Sequence, residues 1–197
     1  GITLFTRTPQ GMALTPDGAA LLPVADKALA ALAEFGSAAA ALHSTVRGPL
    51  RIGTPICEDS WHPDVAETLA ETGAEILLVP SCTDSLAGFS RVRIGAMARA
   101  LENQCISVQA PTDGLCDYCP AVDENVGAAA IYGPPDKGFP ATGILAETRL
   151  NQAGWAYVEI DLTLVHHVRR SGGVLNHSHW PEQLDRIAPP VAIVTVR

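Results

Sequence analysis

Five cysteines and six histidines are the residues of this 197-residue chain best suited to chemistry, and their surroundings separate them. Cys57 ends the apolar run LRIGTPIC and precedes the turn EDSWHP, after which a helix opens. A side chain at such a corner lies near backbone N–H groups and the positive end of a helix dipole, which favour negative charge on sulfur. The same N–H groups can receive the oxyanion of a tetrahedral intermediate. The chemistry indicated is nucleophilic attack on an electrophilic carbon. A buried structural cysteine is the alternative, and position alone favours it. Cys116 and Cys119 have the C-x-x-C spacing of half a zinc site. The other half would have to come from Cys82, Cys105, His177 or His179, none of which makes a matching pair. Loop and core roles are therefore favoured, with no metal and no cofactor expected. His177 and His179 belong to NHSHWPE, which reads as an assembly or pocket-edge segment. His166 and His167 adjoin an amphipathic helix, with no carboxylate partner legible in the sequence.

The elements that must position Cys57 follow from periodicity. Residues 1–14 give two short extended runs around TPQG, a hairpin-like turn. Thr15 before Pro16 is an N-cap followed by a pre-organised first helical position. From Pro16 to about His43, Leu21, Leu22, Ala25, Leu29, Leu32, Phe35, Ala39 and Leu42 recur at three- and four-residue spacing, the pattern of a long amphipathic helix. Gly36 lowers its local stability and is a candidate bend. Such a stripe needs cover, from either the following domain or a second copy of the helix; the second is favoured. Gly48-Pro49 breaks the helix, and strands and helices then alternate. LRIGTPIC is a strand, Pro63 to Thr72 a helix closed by Gly73, AEILLVP a fully buried strand, FSRVRIGAMARALENQ a helix and CISVQAP a strand. GAAAIYGP and AYVEIDL read as further extended segments, Leu162 to Arg170 as a short helix, and PVAIVTV as a closing strand. This order implies an α/β domain with a mixed sheet.

Composition narrows the function. Thirteen basic against twenty-one acidic residues leave a formal charge of -8, which repels a phosphate backbone and makes nucleic acid an unlikely partner. No apolar run approaches the 18 or so residues of a membrane span, so no membrane partner is expected. An odd number of cysteines, most beside apolar runs or tight turns, reads as reduced thiols in a cytoplasmic protein.

RIGTPICEDSWHPDVAETLAETGAEILLVPSCTD resembles the nucleophile region of the carbon–nitrogen hydrolase (nitrilase) superfamily: an apolar strand, Cys, an acidic pair, Pro opening a helix, then GAEILLVPS as the next strand. RVRIGAMARALENQCISVQAP is similar to the segment that follows, with Arg99, Ala100, Leu101, Glu102 and Asn103 matching the family's Arg-Ala-x-Glu-Asn pattern. Weaker likeness runs through GAAAIYGPPDKGFPATGILAE and AGWAYVEIDL, to about two thirds of the chain. The resemblance implies a partial α-β-β-α nitrilase-like sandwich and hydrolysis of a small-molecule amide or nitrile through a thioester. It makes Cys57 the catalytic nucleophile and Glu58, Asp59, Glu102 and Asn103 oxyanion or pocket residues. An ion pair of Glu102 with Arg99 or Arg91 is the competing role.

The family also uses a glutamate base and a lysine well before the cysteine, whereas only 56 residues precede Cys57. The chain's two lysines, Lys27 and Lys137, and its first glutamate, Glu34, do not sit in the family manner. Hydrolysis is therefore expected to be impaired. Residues 1–53, with LFTRTPQGMALTPDG, resemble the wing and linker helix of LysR-type transcriptional regulators, without a preceding recognition helix. The expected layout is a LysR-like remnant at 1–48, a carbon–nitrogen hydrolase domain lacking its N-terminal half at 50–185, and a tail or strand at 186–197. The rivals to an enzyme are a non-catalytic homodimer and a regulator fragment. A homo-oligomer is expected because apolar surface is left uncovered.

Overall fold

Thr15 anchors the first unit. Its Oγ1 accepts from the Gly18 N–H at 3.0 Å, as expected of an N-cap, and donates to the Thr3 carbonyl at 2.6 Å. Before it, strands β1 (Phe5–Thr8) and β2 (Gly11–Leu14) pair antiparallel, Phe5 opposite Leu14. After it, α1 (Pro16–Leu42) runs 27 residues through both Pro23 and Gly36 without breaking. Leu21, Leu22, Val24 and Leu29 are all exposed along it. The computed structural model describes residues 3–8, 11–42, 49–117, 119 and 122–186, and the chain divides into Gly1–Pro49 and Leu50–Arg197.

The second unit is the α/β domain. Its strands are β3 (Ile52–Gly53), β4 (Ile76–Ser81) and β5 (Ile106–Pro111), then β6 (Gly114–Leu115), β7 (Glu124–Asn125), β8 (Ala130–Tyr132) and β9 (Ile144–Glu147). Its helices are α2 (Pro63–Glu71), α3 (Leu86–Glu102), α4 (Leu162–Ser171) and α5 (Asn176–His179). Five strands form one sheet in the order β3-β4-β5-β8-β9. The first three are parallel and the last two antiparallel, a mixed sheet as expected. The parallel pairs need crossovers, which α2 and α3 supply. Gly73, at φ +98°, turns the chain out of α2 into β4.

Register shows which face the helices cover. Leu77, Ser107 and Tyr132 form one row across the sheet, Val79, Gln109 and Ala130 the next, and all six are buried. Ala66 of α2 packs with Leu77, and Val92, Ala96 and Ala100 of α3 pack with Val79. The opposite row, Leu78, Val108 and Ile131, is only partly covered, and Leu78 keeps 37% of its surface exposed. The β4 strand therefore alternates, contrary to the fully buried strand its continuous apolar sequence suggests: within this unit, the described helices cover one face only.

A polar corner closes the other end of the domain. Gln104, buried at φ +44°, donates to the carbonyls of Val168 and Val174 and accepts from the His177 N–H. Arg169 donates to the carbonyls of Asn103, Gln104 and Ala74 at 2.9–3.2 Å. Asp136 accepts from the N–H groups of Gly173 and Lys137, both at 2.6 Å. Slight burial pushes its pKa up, but those N–H groups, the Val174 N–H and the Lys137 ammonium outweigh it and hold it below the ordinary carboxylate value. A depressed folded-state pKa stabilises above the unfolded value, and that stability is lost as pH falls through the folded one. Asp136→Asn is therefore expected to lower Tm at neutral pH. The gap from the parent should close below about pH 4; a gap unchanged down to pH 2.5 would exclude the carboxylate's charge as its cause.

Three sequence readings change. AYVEIDL joins no ladder: residues 152–161 lack a strand partner among the described residues, and Trp155 and Tyr157 lie 81% and 78% exposed with stacked rings. His166 does have a carboxylate, Glu75, at 2.6 Å, because α4 packs where β4 begins, a proximity that sequence spacing does not reveal. The β6–β7 hairpin and β9 are additions. The closing run PVAIVTV lies outside the described residues.

Candidate active site

Cys57 follows β3 at the C-terminal end of the parallel strands. The ladder stops at Gly53, and Thr54–Ile56 lead without pairing into a 3₁₀ turn, Cys57–Trp61, that precedes α2. LRIGTPIC is thus a shorter strand than its apolar run implies, and a turn separates the cysteine from the helix N-terminus. Cys57 itself sits at φ +48°, a left-handed conformation uncommon for a residue with a Cβ. Such strain persists only where the surroundings impose it.

Those surroundings are specific. The buried Ser60 donates its hydroxyl to the Cys57 carbonyl at 2.6 Å, clamping the turn. Ser60 in turn lies against Gly95 of α3, where an added Cβ would come within 2.8 Å of the Ser60 carbonyl. Only glycine lets the helix approach this closely. Arg91 stacks over the Trp61 ring at 5.7 Å. The Cys57 side chain is half-buried and packs beside Val79, Val92, Ala96, Ala100, Ala130 and Tyr132. It is neither sealed in the core nor fully open. Among the described residues, its sulfur has no hydrogen-bond partner.

The other sequence candidates fall in two places. Glu58 and Asp59 share the turn with Cys57. The Asp59 carboxylate turns back to accept from the Ile56 N–H at 2.9 Å, while Glu58 points to solvent, 4.0 Å from His62. Glu102 and Asn103 are not brought to Cys57. They end α3 at the opposite, N-terminal end of the parallel strands, just before Ile106 pairs with Ile76, the first residue of β4. Glu102 pairs with the buried Arg99 at 2.9 Å, and Asn103 donates to the Arg99 carbonyl. Glu102 also lines a hollow of about 330 Å³ with Asn176, His179, Trp180 and Gln183. The Arg-Ala-x-Glu-Asn run thus closes a helix, and sequence adjacency to β5 concealed which end of that strand it occupies.

Residues that the sequence did not single out form a further polar group on the sheet. Arg93 of α3 pairs with Glu147 at 2.8 Å and stacks over Tyr132, which donates to Gln109. Burial pushes the Tyr132 phenol up to about 12, against the pull of Arg93, so it stays a neutral donor. Arg93 and Glu147 line a second hollow of about 520 Å³ with Phe89, Ala128, Thr148, Arg149 and Leu150. Ser60 and Gly95 carried a legible signal, a small polar residue and a mid-helix glycine, but their meeting is tertiary. Cys105 is the buried structural thiol of the set: burial pushes its pKa up to about 12. Lys137 donates to the Ser171 and Gly172 carbonyls at the end of α4. No three His, Cys, Asp or Glu side chains among the described residues are placed to share a metal ion, and no described helix is long and apolar enough to cross a membrane.

Comparison with known proteins matches residues 21–170 to the carbon–nitrogen hydrolase family. The chain is 33% identical over 124 residues to the probable hydrolase YhcX of Bacillus subtilis, covering 63% of this chain and 24% of that protein. It is 39% identical over 152 residues to the human deaminated glutathione amidase, covering 77% of this chain and 43% of that one. A probable hydrogen peroxide-inducible genes activator of Mycobacterium xenopi is 34% identical over 141 residues, covering 70% of this chain and 71% of that protein. Among solved structures, an amidase from Nesterenkonia sp. AN1 aligns at a TM-score of 0.50 and 21% identity, covering 68% of this chain and 43% of that one. The chain thus spans a quarter of the Bacillus protein and under half of the two amidases. With the Cys57 turn and the mixed sheet described above, these matches place the chain in the carbon–nitrogen hydrolase family.

Proposed function

We propose that Cys57 is the nucleophile of an amidase-type reaction on a small amide or nitrile. The observation that carries this reading is its strained, half-buried position at the C-terminal end of β3, where open α/β sheets bind their ligands. The first N–H groups of a turn have no partner within it, and those of Cys57 and Glu58 are suited to hold an oxyanion. In the proposed cycle the Cys57 thiolate adds to the carbonyl carbon of an amide. The proton the thiol gave up is returned to the amide nitrogen through solvent, so collapse of the adduct expels ammonia and leaves a thioester. Water then releases the acid and restores the thiol. The Nesterenkonia amidase structure contains the acetamide moiety of fluoroacetamide attached covalently to its active-site cysteine, and a relative at 39% identity is an amidase. Both support the reading.

We further propose that the 197-residue chain is slow by itself. Lys137 is committed to α4, Asp59 to its own turn, and Glu58 to solvent beside His62. None of these three groups bonds to the Cys57 sulfur, and a thiol lacking such a base or cation lacks the usual activation. Ammonia release from a panel of primary amides and nitriles, with acid-quench mass spectrometry for an acyl group on Cys57, tests both parts. Slow release with acyl-Cys57 is expected; rapid turnover refutes the second part, and acylation elsewhere refutes the first.

The same unit order favours association. Leu21, Leu22, Val24 and Leu29 stand exposed on α1, and the wing-and-linker resemblance of residues 1–48, supported by the match to a gene activator, assigns such a helix to dimer formation. A homo-oligomer is proposed. Light scattering is expected to give at least a dimer, weakened by Leu22→Glu with Leu29→Glu; a monomeric parent chain refutes it. A cytoplasmic location is proposed on the same footing, from cysteines read as reduced thiols.

A further inference from the structure

The paired cysteines of the β6–β7 hairpin take no part in the proposed hydrolysis, and their geometry has a chemistry of its own. Cys116 closes the hairpin ladder, its N–H donating to the Asp123 carbonyl at 2.9 Å. Cys119 then donates its N–H back to the Cys116 carbonyl at 3.1 Å. A backbone bond at i→i+3 brings the two Cα atoms it joins to within about 7 Å. A disulfide needs a Cα separation of about 4.4–6.8 Å. Both cysteines are free and half-buried, so a reagent in solution can reach them. The Val122 N–H donates to the Cys119 carbonyl at 3.0 Å and holds the other side of Cys119.

The hairpin is also firmly mounted. Asn125 of β7 accepts from the Thr112 hydroxyl at 2.7 Å and from the Cys82 thiol at 3.2 Å, and Val126 exchanges bonds with Thr83. Thr112 follows β5, while Cys82 and Thr83 follow β4, so the thiol pair hangs from the sheet end that Cys57 occupies in the neighbouring parallel strand. A soft metal would use the same two thiols but needs further ligands. Among the described residues no third His, Cys, Asp or Glu joins them. The pair is therefore better matched to two-electron oxidation.

We propose that Cys116 and Cys119 form a reversible disulfide by exchange with a low-molecular-weight disulfide, making the hairpin tip a redox-modification site. One cysteine, as thiolate, attacks a sulfur of the small disulfide and expels a small thiolate. The other loses its proton and attacks the mixed disulfide, expelling the second. Two protein thiols lose two electrons and two protons in all, and the small disulfide becomes two small thiols. The second step is intramolecular, so the mixed disulfide does not accumulate.

The test uses the full chain in oxidised and reduced glutathione mixtures, quenched with acid, alkylated and read by peptide mass mapping. The expected product is a peptide linking Cys116 to Cys119, two hydrogens lighter, with little glutathione on either. In Cys119→Ser, a glutathione adduct on Cys116 is expected to rise about tenfold over the parent chain. These positions lie on a partly exposed hairpin, and Cys116→Ser gives the reciprocal reading at Cys119. Persistent glutathione on both cysteines of the parent, oxidation confined to Cys82, or one equivalent of zinc retained with both thiols shielded from alkylation would each overturn the proposal. None of these results depends on whether Cys57 is a nucleophile.

Discussion

Cys57→Ala is expected to abolish acyl-protein formation and to lower ammonia release from any responsive amide by at least about 10³-fold. The effect is large because the sulfur alone supplies the electron pair that becomes the thioester, and no neighbouring group replaces it. Cys82 follows β4 and is bonded to Asn125, and Cys105 is buried with its pKa pushed up to about 12, so neither takes the place of the Cys57 sulfur at the turn. The substitution removes one half-buried sulfur from the edge of the Val92–Tyr132 cluster, so stability should change by no more than about 1 kcal/mol. Cys57→Ser keeps the shape of the side chain and should be nearly as inactive, because an unactivated hydroxyl is the weaker nucleophile. Ammonia assays at high protein concentration, paired with thermal melts, separate chemistry from folding. An Ala variant that still releases ammonia at the parent rate would remove Cys57 from the mechanism.

Arg169→Ala is expected to be the most destabilising single change, on the order of 3 kcal/mol. The Arg169 guanidinium binds three backbone carbonyls that no ladder or helix satisfies, those of Ala74, Asn103 and Gln104. They lie where α2 turns into β4 and where α3 turns into β5, so one side chain joins both crossovers to α4. Deleting it strands carbonyls in a corner shared with the buried Gln104, whose left-handed backbone depends on the same contacts. Lys at this position keeps the charge but lacks the planar fork, so it should recover only part of the loss. Urea unfolding of the two variants measures this directly. A Cm equal to that of the parent for Arg169→Ala would show that the corner is held by packing alone.

Both predictions concern residues of which sequence reading saw only half. The type and place of Cys57 were legible, because an apolar strand followed by a turn and a Pro-opened helix is a local pattern. Its left-handed backbone and the Ser60–Gly95 contact beside it were not, since residues 60 and 95 meet only when α3 folds back on the turn. Arg169 looked like one of two arginines at the end of a short helix, and its bonds reach 65, 66 and 95 residues back along the chain. The Glu102–Asn103 motif shows the reverse: its local pattern is real, but the tertiary structure spends it on an ion pair and a helix end instead of beside the thiol.

What this sequence determined by itself was whatever depends on near neighbours: the Thr15 cap, the long α1, the alternation of strands and helices, and the cysteine at the end of an apolar run. Hydrophobic period and capping chemistry act over a few residues and survive without knowledge of the fold. Strand pairing, and so the mixed sheet order, required coordinates, as did the face left open around Leu78 and the lack of a ladder at Trp155–Tyr157. Those features depend on which distant segments supply the missing hydrogen bonds and apolar cover, and backbone groups accept whichever partner the fold presents.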